Sequence, residues 1–234
     1  MYELLIRVKN LYNIQRTLSM NEKKIGASDF LALGLYSFAG FGLEIVLSMV
    51  LSSIFGVQSS EYTIVHHCVH WMLTCVLWGV MVIFLMNFSR RKYSFDIMKF
   101  NEKPDLRAWL IAIVIAAIAI AATTIAWGGL KPIQEYDGIS KFVFQNIYYL
   151  FEAALIVLTI VFGQKFGEML TKREGLPYGG LFLALTWGLI HILLQGFQTG
   201  IYAFAMAILY GVIYLVFKKN TRYAYILIAV IFIV

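Results

Sequence analysis

The sequence predicts an all-α fold: a polytopic transmembrane helical bundle of about seven helices. Of its 234 residues, 61% are hydrophobic and 14% are charged, whereas soluble domains are about 45–50% apolar and about 25% charged. The mean hydropathy of +0.78 agrees with this difference. The apolar surplus exceeds what one soluble core can bury, so it must face lipid. The same figures exclude a disordered chain, a disulfide scaffold, a coiled coil and a collagen-like fibre.

Seven apolar segments account for this composition. They cover residues 29–53, 63–88, 108–128, 142–164, 180–195, 200–217 and 223–234. The first four reach the length of about 20 residues that a helix needs to cross hydrocarbon. The fifth and sixth are shorter, and the seventh is expected to be a partial or thin span. We predict one transmembrane domain, residues 29–234, after a juxtamembrane segment, residues 1–28.

The juxtamembrane segment, residues 1–28, has leucines and other apolar residues near helical spacing, with cations between them. This pattern is typical of an amphipathic helix on the inner leaflet. It is equally typical of an ordinary helix packed beneath the bundle. Both interpretations stay open at this point.

The charges predict the orientation of the bundle. With seven crossings, seventeen of the nineteen lysines and arginines fall on the side of the N terminus, and Lys131 and Lys141 fall on the other. The positive-inside rule therefore predicts a multi-pass protein of the cell membrane with a cytoplasmic N terminus. The net charge of +6 then reflects topology. We expect the lipid bilayer as a partner and no nucleic acid.

Ionisable residues inside apolar spans are the candidates for a functional site, because charge is costly there. Counting at 1.5 Å per residue places Glu152 at about 18 Å and His191 at about 16 Å from the inner boundary. Glu44 and His70 lie higher, at about 22 Å and about 27 Å. The matched depths predict a Glu152–His191 pair near the middle of the membrane, with Glu44 and His70 above it.

Two interpretations of this pair compete. A buried glutamate beside a histidine can act as a base on water, or the two can form a structural hydrogen bond between helices. His66 and His70 share a helix face at i, i+4, but that helix offers no third ligand for a metal. We therefore expect neither a metal site nor a cofactor.

An ordered series of segments gives the C-terminal part, residues 95–234, a family resemblance. A basic loop, Lys99–Arg107, precedes the third span, and the fourth span ends in Lys165–Arg173. A short loop leads to Leu185-Thr-Trp-Gly-Leu-Ile-His191, and two apolar segments follow. This order resembles the CAAX protease and bacteriocin-processing (CPBP, or Abi) family of membrane proteins. The resemblance implies a CAAX-protease-like helical fold in this part of the chain.

Members of that family have Glu-Glu-x-x-x-Arg, Phe-x-x-x-His and His-x-x-x-Asn/Asp motifs, with which active members cleave a peptide bond at the membrane. Trp187-x-x-x-His191 resembles the second motif. The first motif aligns with Val161–Gly167 and lacks both glutamates and the arginine, and residues 224–234 contain no His or Asn for the third. His191 thus carries over by position, and Glu152 or Glu168 are the available substitutes for the glutamates. We interpret Glu168 as a water-exposed residue at the cytoplasmic end of its span.

Three functions are compatible with these residues. The first is an intramembrane-type endopeptidase, with Glu152 as the base and His191 orienting water or the oxyanion, acting on a membrane-associated peptide or protein. The second is a non-catalytic CPBP-like protein: a membrane scaffold, an immunity factor or a partner-binding protein. A third, a small-solute or proton carrier, is disfavoured because neither a repeated half nor a proline-broken span is present.

Overall fold

The computed structural model describes residues 25–99 and 102–234. Residues 1–24 of the juxtamembrane segment, which was predicted to be amphipathic, lie outside the described residues. Within them the helices are α1 (Ala27–Phe55), α2 (Ile64–Tyr93), α3 (Leu106–Trp127), α4 (Lys131–Gln134), α5 (Ile139–Thr171), α6 (Tyr178–Leu183), α7 (Leu189–Gln195), α8 (Phe197–Val216) and α9 (Thr221–Ile233). A 3₁₀ turn, Ser59–Glu61, follows α1, and a π-helical segment, Ala184–Gly188, joins α6 to α7.

The predicted all-α membrane bundle is confirmed, since six helical stretches of the described chain are long and apolar enough to span a membrane. They are α1, α2, α3 with α4, α5, the run from α6 to α7, and α8. The seventh predicted segment forms α9, a shorter apolar helix of 13 residues. At 1.5 Å per residue, α9 is about 20 Å long.

Local sequence signals determine where these helices begin and end. The Ala108 N–H donates a 2.8 Å hydrogen bond to the Asp105 carboxylate at the start of α3, and this bond lowers the pKa of Asp105. Thr63 performs the same capping role for α2, because its hydroxyl accepts from the His66 N–H. Gly56 ends α1 at φ +70°, a left-handed conformation that glycine adopts without a Cβ clash.

Helix α5 is the centre of the bundle, and it packs against α1, α2, α6 and α9. Its residues 155–164 are all buried. Helix α6 lies directly on α5 at two glycines, because a Cβ on Gly163 or Gly167 would collide with Phe182 or Tyr178. Small residues at this four-residue spacing let helices approach closely within a membrane.

Helix α8 covers α6 and the π-helical segment on another side. Gly180 of α6 meets Gly211 of α8 at backbone contact, and a Cβ on Gly188 would lie 2.8 Å from the Phe204 Cα. These close approaches fix the direction of the α6–α7 run relative to α8. The run carries Trp187 and His191 into the interior of the bundle.

The long helices alternate in direction, so the loops gather at two ends of the bundle. At one end, Lys218 pairs with Glu102 and Asp105, and Lys219 pairs with Glu174. We call this the Lys219 end. The opposite end carries residues 56–63 and 128–138, and we call it the Lys131 end. In the described part of the chain, Lys131 and Lys141 are the cations at that second end, as the charge count predicted.

Candidate functional site

A polar cavity of about 340 Å³ lies within the bundle toward the Lys131 end, and both Glu152 and His191 line it. Glu152 comes from α5, and His191 comes from α7. Two residues from different helices, which the depth count put at a similar level, thus line one cavity. The remaining lining residues are Trp71, Trp127, Lys131, Glu135, Tyr148, Tyr149, Trp187, Gln195, Thr199, Tyr202, Ala203, Met206, Tyr210 and Phe232.

Trp187 lies between the two predicted residues. Its side chain interacts with the Glu152 carboxylate. Its backbone carbonyl oxygen lies 2.6 Å from Nδ1 of His191, and its ring centroid lies 4.4 Å from that of His191. Trp187 thus contacts both residues.

The contact with Trp187 fixes the tautomer of His191. A carbonyl oxygen only accepts hydrogen bonds, so Nδ1 of His191 must carry a proton. In the neutral imidazole, Nε2 then keeps its lone pair and is an acceptor. Trp187 belongs to the π-helical segment, a helix type that occurs mostly as single turns and frequently at functional sites.

Lys131, which the sequence predicts only as a loop charge, lines the cavity. It is 5% exposed, and its Nζ donates a 2.7 Å hydrogen bond to the backbone oxygen of Phe232 in the last turn of α9. Nζ also lies 3.9 Å from the ring centre of Tyr149 and 4.7 Å from that of Phe232. Its charge interacts with the carboxylates of Glu135 and Glu152.

Glu135 forms a hydrogen-bonded network beside Lys131. Its carboxylate accepts from the Trp127 indole at 3.1 Å, from the Tyr149 hydroxyl at 2.8 Å and from the Gln145 amide at 3.1 Å. This network joins α3, the 128–138 loop and α5. It holds the Lys131 segment over the cavity, so a cation and two carboxylates share one partly enclosed polar space.

Glu44 and His70 line a second cavity, which adjoins that of Glu152 and His191 at Trp71. His70 Nε2 lies 3.8 Å from Glu44 Oε1, which is beyond hydrogen-bond distance. The Tyr148 hydroxyl donates a 2.9 Å hydrogen bond to Glu44 Oε2, and Tyr148 also lines the first cavity. The predicted Glu44–His70 neighbourhood is present, with Tyr148 between it and the first cavity.

Glu168 lies in neither cavity, and the expectation of a water-exposed residue is wrong. Its side chain is 10% exposed, and it pairs with Lys219 at 2.7 Å. It also accepts a 2.7 Å hydrogen bond from Gln164. Since Glu168 follows Glu152 by sixteen residues on α5, the two are separated by about 24 Å along the helix. Glu168 is therefore a residue of the Lys219 end.

Gln164, which falls within the segment aligned with the first CPBP motif, holds the α5–α6 loop. Its amide nitrogen donates to the backbone oxygen of Leu176 at 2.9 Å, and its amide oxygen accepts from the Gly179 N–H at 2.9 Å. Together with the hydrogen bond from Gln164 to Glu168, these bonds give both polar atoms of the Gln164 side chain a partner. The arrangement stabilises the loop.

Side chains that could ligate a metal do not converge in the described ranges, where no group of three or more His, Cys, Asp or Glu residues lies together. The first cavity offers acid–base and charged groups, namely Glu152, His191 and Lys131. No protein-family model, curated protein or solved structure matches the chain.

Proposed function

We propose that the protein is a CPBP-like membrane endopeptidase, whose Glu152 and His191 activate a water molecule in the first cavity. The observation that carries this proposal is that both side chains line one polar cavity inside an apolar bundle. The substrate class is a peptide bond of a membrane-associated peptide or protein. The family resemblance of residues 95–234 supports the same class.

The proposed reaction uses Glu152 first as a base and then as an acid. Its carboxylate takes a proton from water while the hydroxide adds to the peptide carbonyl carbon. His191 Nε2 accepts a hydrogen bond from the same water and orients it. The tetrahedral intermediate then breaks its C–N bond as Glu152 returns the proton to the amine. Lys131 contributes positive charge that offsets the developing oxyanion.

The test is hydrolysis by the purified protein in proteoliposomes, with a library of quenched fluorogenic peptides, both soluble and lipid-anchored. The wild type cleaves members of the library, and Glu152→Gln slows cleavage by about 10²–10⁴-fold, the range of acid–base catalysis. Glu61→Gln is the matched control, because Glu61 is an exposed carboxylate at the Lys131 end. Equal rates for the wild type and Glu152→Gln overturn the proposal.

A non-catalytic, partner-binding protein is the second candidate, and Gln164 favours it. In the segment aligned with the first catalytic motif, this side chain is committed to the α5–α6 loop. This function predicts no peptide hydrolysis by the wild type and copurification of another membrane component. Joint replacement of Glu152 and His191 then leaves that copurification unchanged. Hydrolysis by the wild type contradicts it.

In the proposed orientation, the Lys219 end lies on the cytoplasmic face of a cell membrane, as the charge distribution favours. Single cysteines at Asp137 and Glu174, in a chain with Cys68 and Cys75 replaced by Ser, test it. A membrane-impermeant maleimide added to intact cells labels Asp137→Cys and spares Glu174→Cys until the membrane is opened. The reverse labelling contradicts the orientation.

A further inference from the structure

The second cavity, of about 790 Å³, lies between α1 and α2 near the Lys131 end. Its lining residues are Glu44, Ile45, Ser48, Met49, Ser52, Gln58, Ser59, Tyr62, His67, His70 and Trp71. The proposed hydrolysis uses none of them. His70 is six residues into α2, so it lies about 9 Å below the start of that helix. The cavity therefore extends from the α1–α2 loop into the membrane-spanning part of the bundle.

The Nε2 atom of His70 has no hydrogen-bond partner among the residues that the structure describes. The His70 side chain is 10% exposed, and this nitrogen atom is buried. A buried polar atom in this condition costs free energy unless something binds it. The nearest charged atom is Glu44 Oε1 at 3.8 Å, a separation at which one donor atom can reach both.

The space between His70 Nε2 and Glu44 Oε1, which we call the gap, is flanked by hydrogen-bond acceptors. Glu44 supplies a carboxylate whose other oxygen is held by Tyr148. In a neutral His70 protonated on Nδ1, Nε2 is a further acceptor. Within the described chain, neither lysine nor arginine lines the cavity to neutralise Glu44. A donor that also carries positive charge would satisfy both acceptors and neutralise the carboxylate.

Aromatic rings complete the same environment. The Tyr62 ring meets the His70 ring edge-on, with centroids 6.0 Å apart, and Trp71 stacks on His67 at 5.2 Å. Faces of Trp and Tyr attract cations that lie over them. Ile45 and Met49, which also line the cavity, are exposed apolar residues on α1. Acceptors lie at the bottom of the cavity, and apolar side chains lie along its wall.

We propose that this cavity binds a primary ammonium group, which donates to Glu44 Oε1 and His70 Nε2 together. An ammonium nitrogen has three donors, and N–H···O and N–H···N bonds of about 2.8–3.0 Å span the gap. Two sources share this chemistry: a small free amine, and the ethanolamine headgroup of a phospholipid whose chains follow Ile45 and Met49. Trp71 lines both this cavity and the first one, whereas Glu44 and His70 line this cavity alone.

Binding is tested with the purified protein in phosphatidylcholine nanodiscs, titrated with ethanolamine and followed by tryptophan fluorescence, since Trp71 lines the cavity. Loss of the signal in Trp71→Phe identifies Trp71 as its source. Because Trp71 also lines the first cavity, unchanged binding in Glu152→Gln assigns the site to the second cavity. Glu44→Gln and His70→Gln, on different helices, each weaken binding by about tenfold or more, as loss of a charge-assisted hydrogen bond does. Glu61→Gln, an exposed carboxylate in the adjacent loop, leaves it unchanged. Tetramethylammonium, which has no N–H, binds more weakly.

The two sources are separated by repeating the titration in nanodiscs that contain phosphatidylethanolamine. If the lipid headgroup is the ligand, it competes with ethanolamine in the wild type and not in Glu44→Gln. If a free amine is the ligand, the titration is unchanged.

Two results overturn the proposal. One is wild-type affinity in both the Glu44→Gln and His70→Gln variants; the other is absence of binding of ethanolamine and of competition by the lipid. Peptide hydrolysis is measured separately, so failure here does not depend on the proposed function.

Discussion

The Nδ1 atom of His191 lies 2.6 Å from the backbone carbonyl oxygen of Trp187, one turn earlier in the same helical run. This bond holds the imidazole ring at the wall of the first cavity and leaves Nε2 as its free acceptor. The indole of Trp187 interacts with Glu152 on the neighbouring helix α5. One residue of the π-helical segment therefore holds His191 and interacts with Glu152, the two members of the proposed catalytic pair.

The first prediction concerns the tautomer of His191. The chain has four histidines, so ¹⁵N-histidine labelling gives few signals, and His191→Gln identifies the one that belongs to His191. At neutral pH this histidine should show a protonated Nδ1 and an unprotonated Nε2. A signal with Nε2 protonated and Nδ1 bare contradicts the hydrogen bond to Trp187.

The second prediction concerns Lys131, whose ammonium group contacts Phe232 and Tyr149. Lys131→Met removes the donor to the Phe232 carbonyl and leaves two carboxylates near the cavity without their cation. We expect the free energy of unfolding to fall by about 1–3 kcal/mol, seen as a lower Tm in detergent. Lys141→Met is the control, because Lys141 pairs with Asp137 just before the start of α5, and such surface pairs contribute about 0.2–1 kcal/mol. Equal Tm values for the two variants contradict this account of Lys131.

The third prediction concerns Gln164, which is 1% exposed and has three hydrogen-bond partners. Gln164→Leu leaves the Gly179 N–H and the Leu176 carbonyl unpaired, at a cost of about 1–3 kcal/mol for each buried group. Thermal unfolding should detect this loss, whereas Gln198→Leu, at an exposed position, changes Tm little. A Gln164→Leu protein as stable as the wild type would show that the α5–α6 loop does not depend on this side chain.

The fourth prediction concerns helix packing at Gly211. Its missing side chain lets α8 touch the backbone of Gly180 on α6, so Gly211→Ala forces the helices apart and costs about 1–3 kcal/mol. Gly42→Ala is the matched control within α1, because a Cβ there has nothing within 4 Å and alanine is the better helix former. In thermal melts, Gly211→Ala should therefore lower Tm, and Gly42→Ala should leave Tm unchanged or raise it. Identical melts contradict the close contact.

Much of the fold could be predicted from the sequence, because each long span is one continuous apolar segment and its helix length follows from the bilayer thickness. Depth counting also placed Glu152 and His191 at a common level, since both depend only on the rise per residue along nearly whole helices. The shared cavity agrees with that count.

Other parts of the candidate site depend on contacts between distant segments, and counting residues along a helix could not predict them. Lys131 was assigned to a loop, but the carbonyl of Phe232, about a hundred residues later, draws its ammonium group into the cavity. Glu168 was expected to meet water, but Lys219 from the α8–α9 loop covers it. The one sequence signal for Lys131 was its position among aromatic and glycine residues on the side with few cations. The π-helical turn at Trp187 left no pattern in the sequence that we can identify.

The central claim is that Glu152 and His191 act as one catalytic unit, and a double-mutant cycle on peptide hydrolysis in proteoliposomes tests it most directly. Glu152→Gln and His191→Gln should each lower kcat by about 10²–10⁴-fold, and the double variant should be about as slow as the slower single variant, because residues that act as a unit are not additive. If the two losses multiply in the double variant, or if either single variant keeps the wild-type kcat, the claim is contradicted.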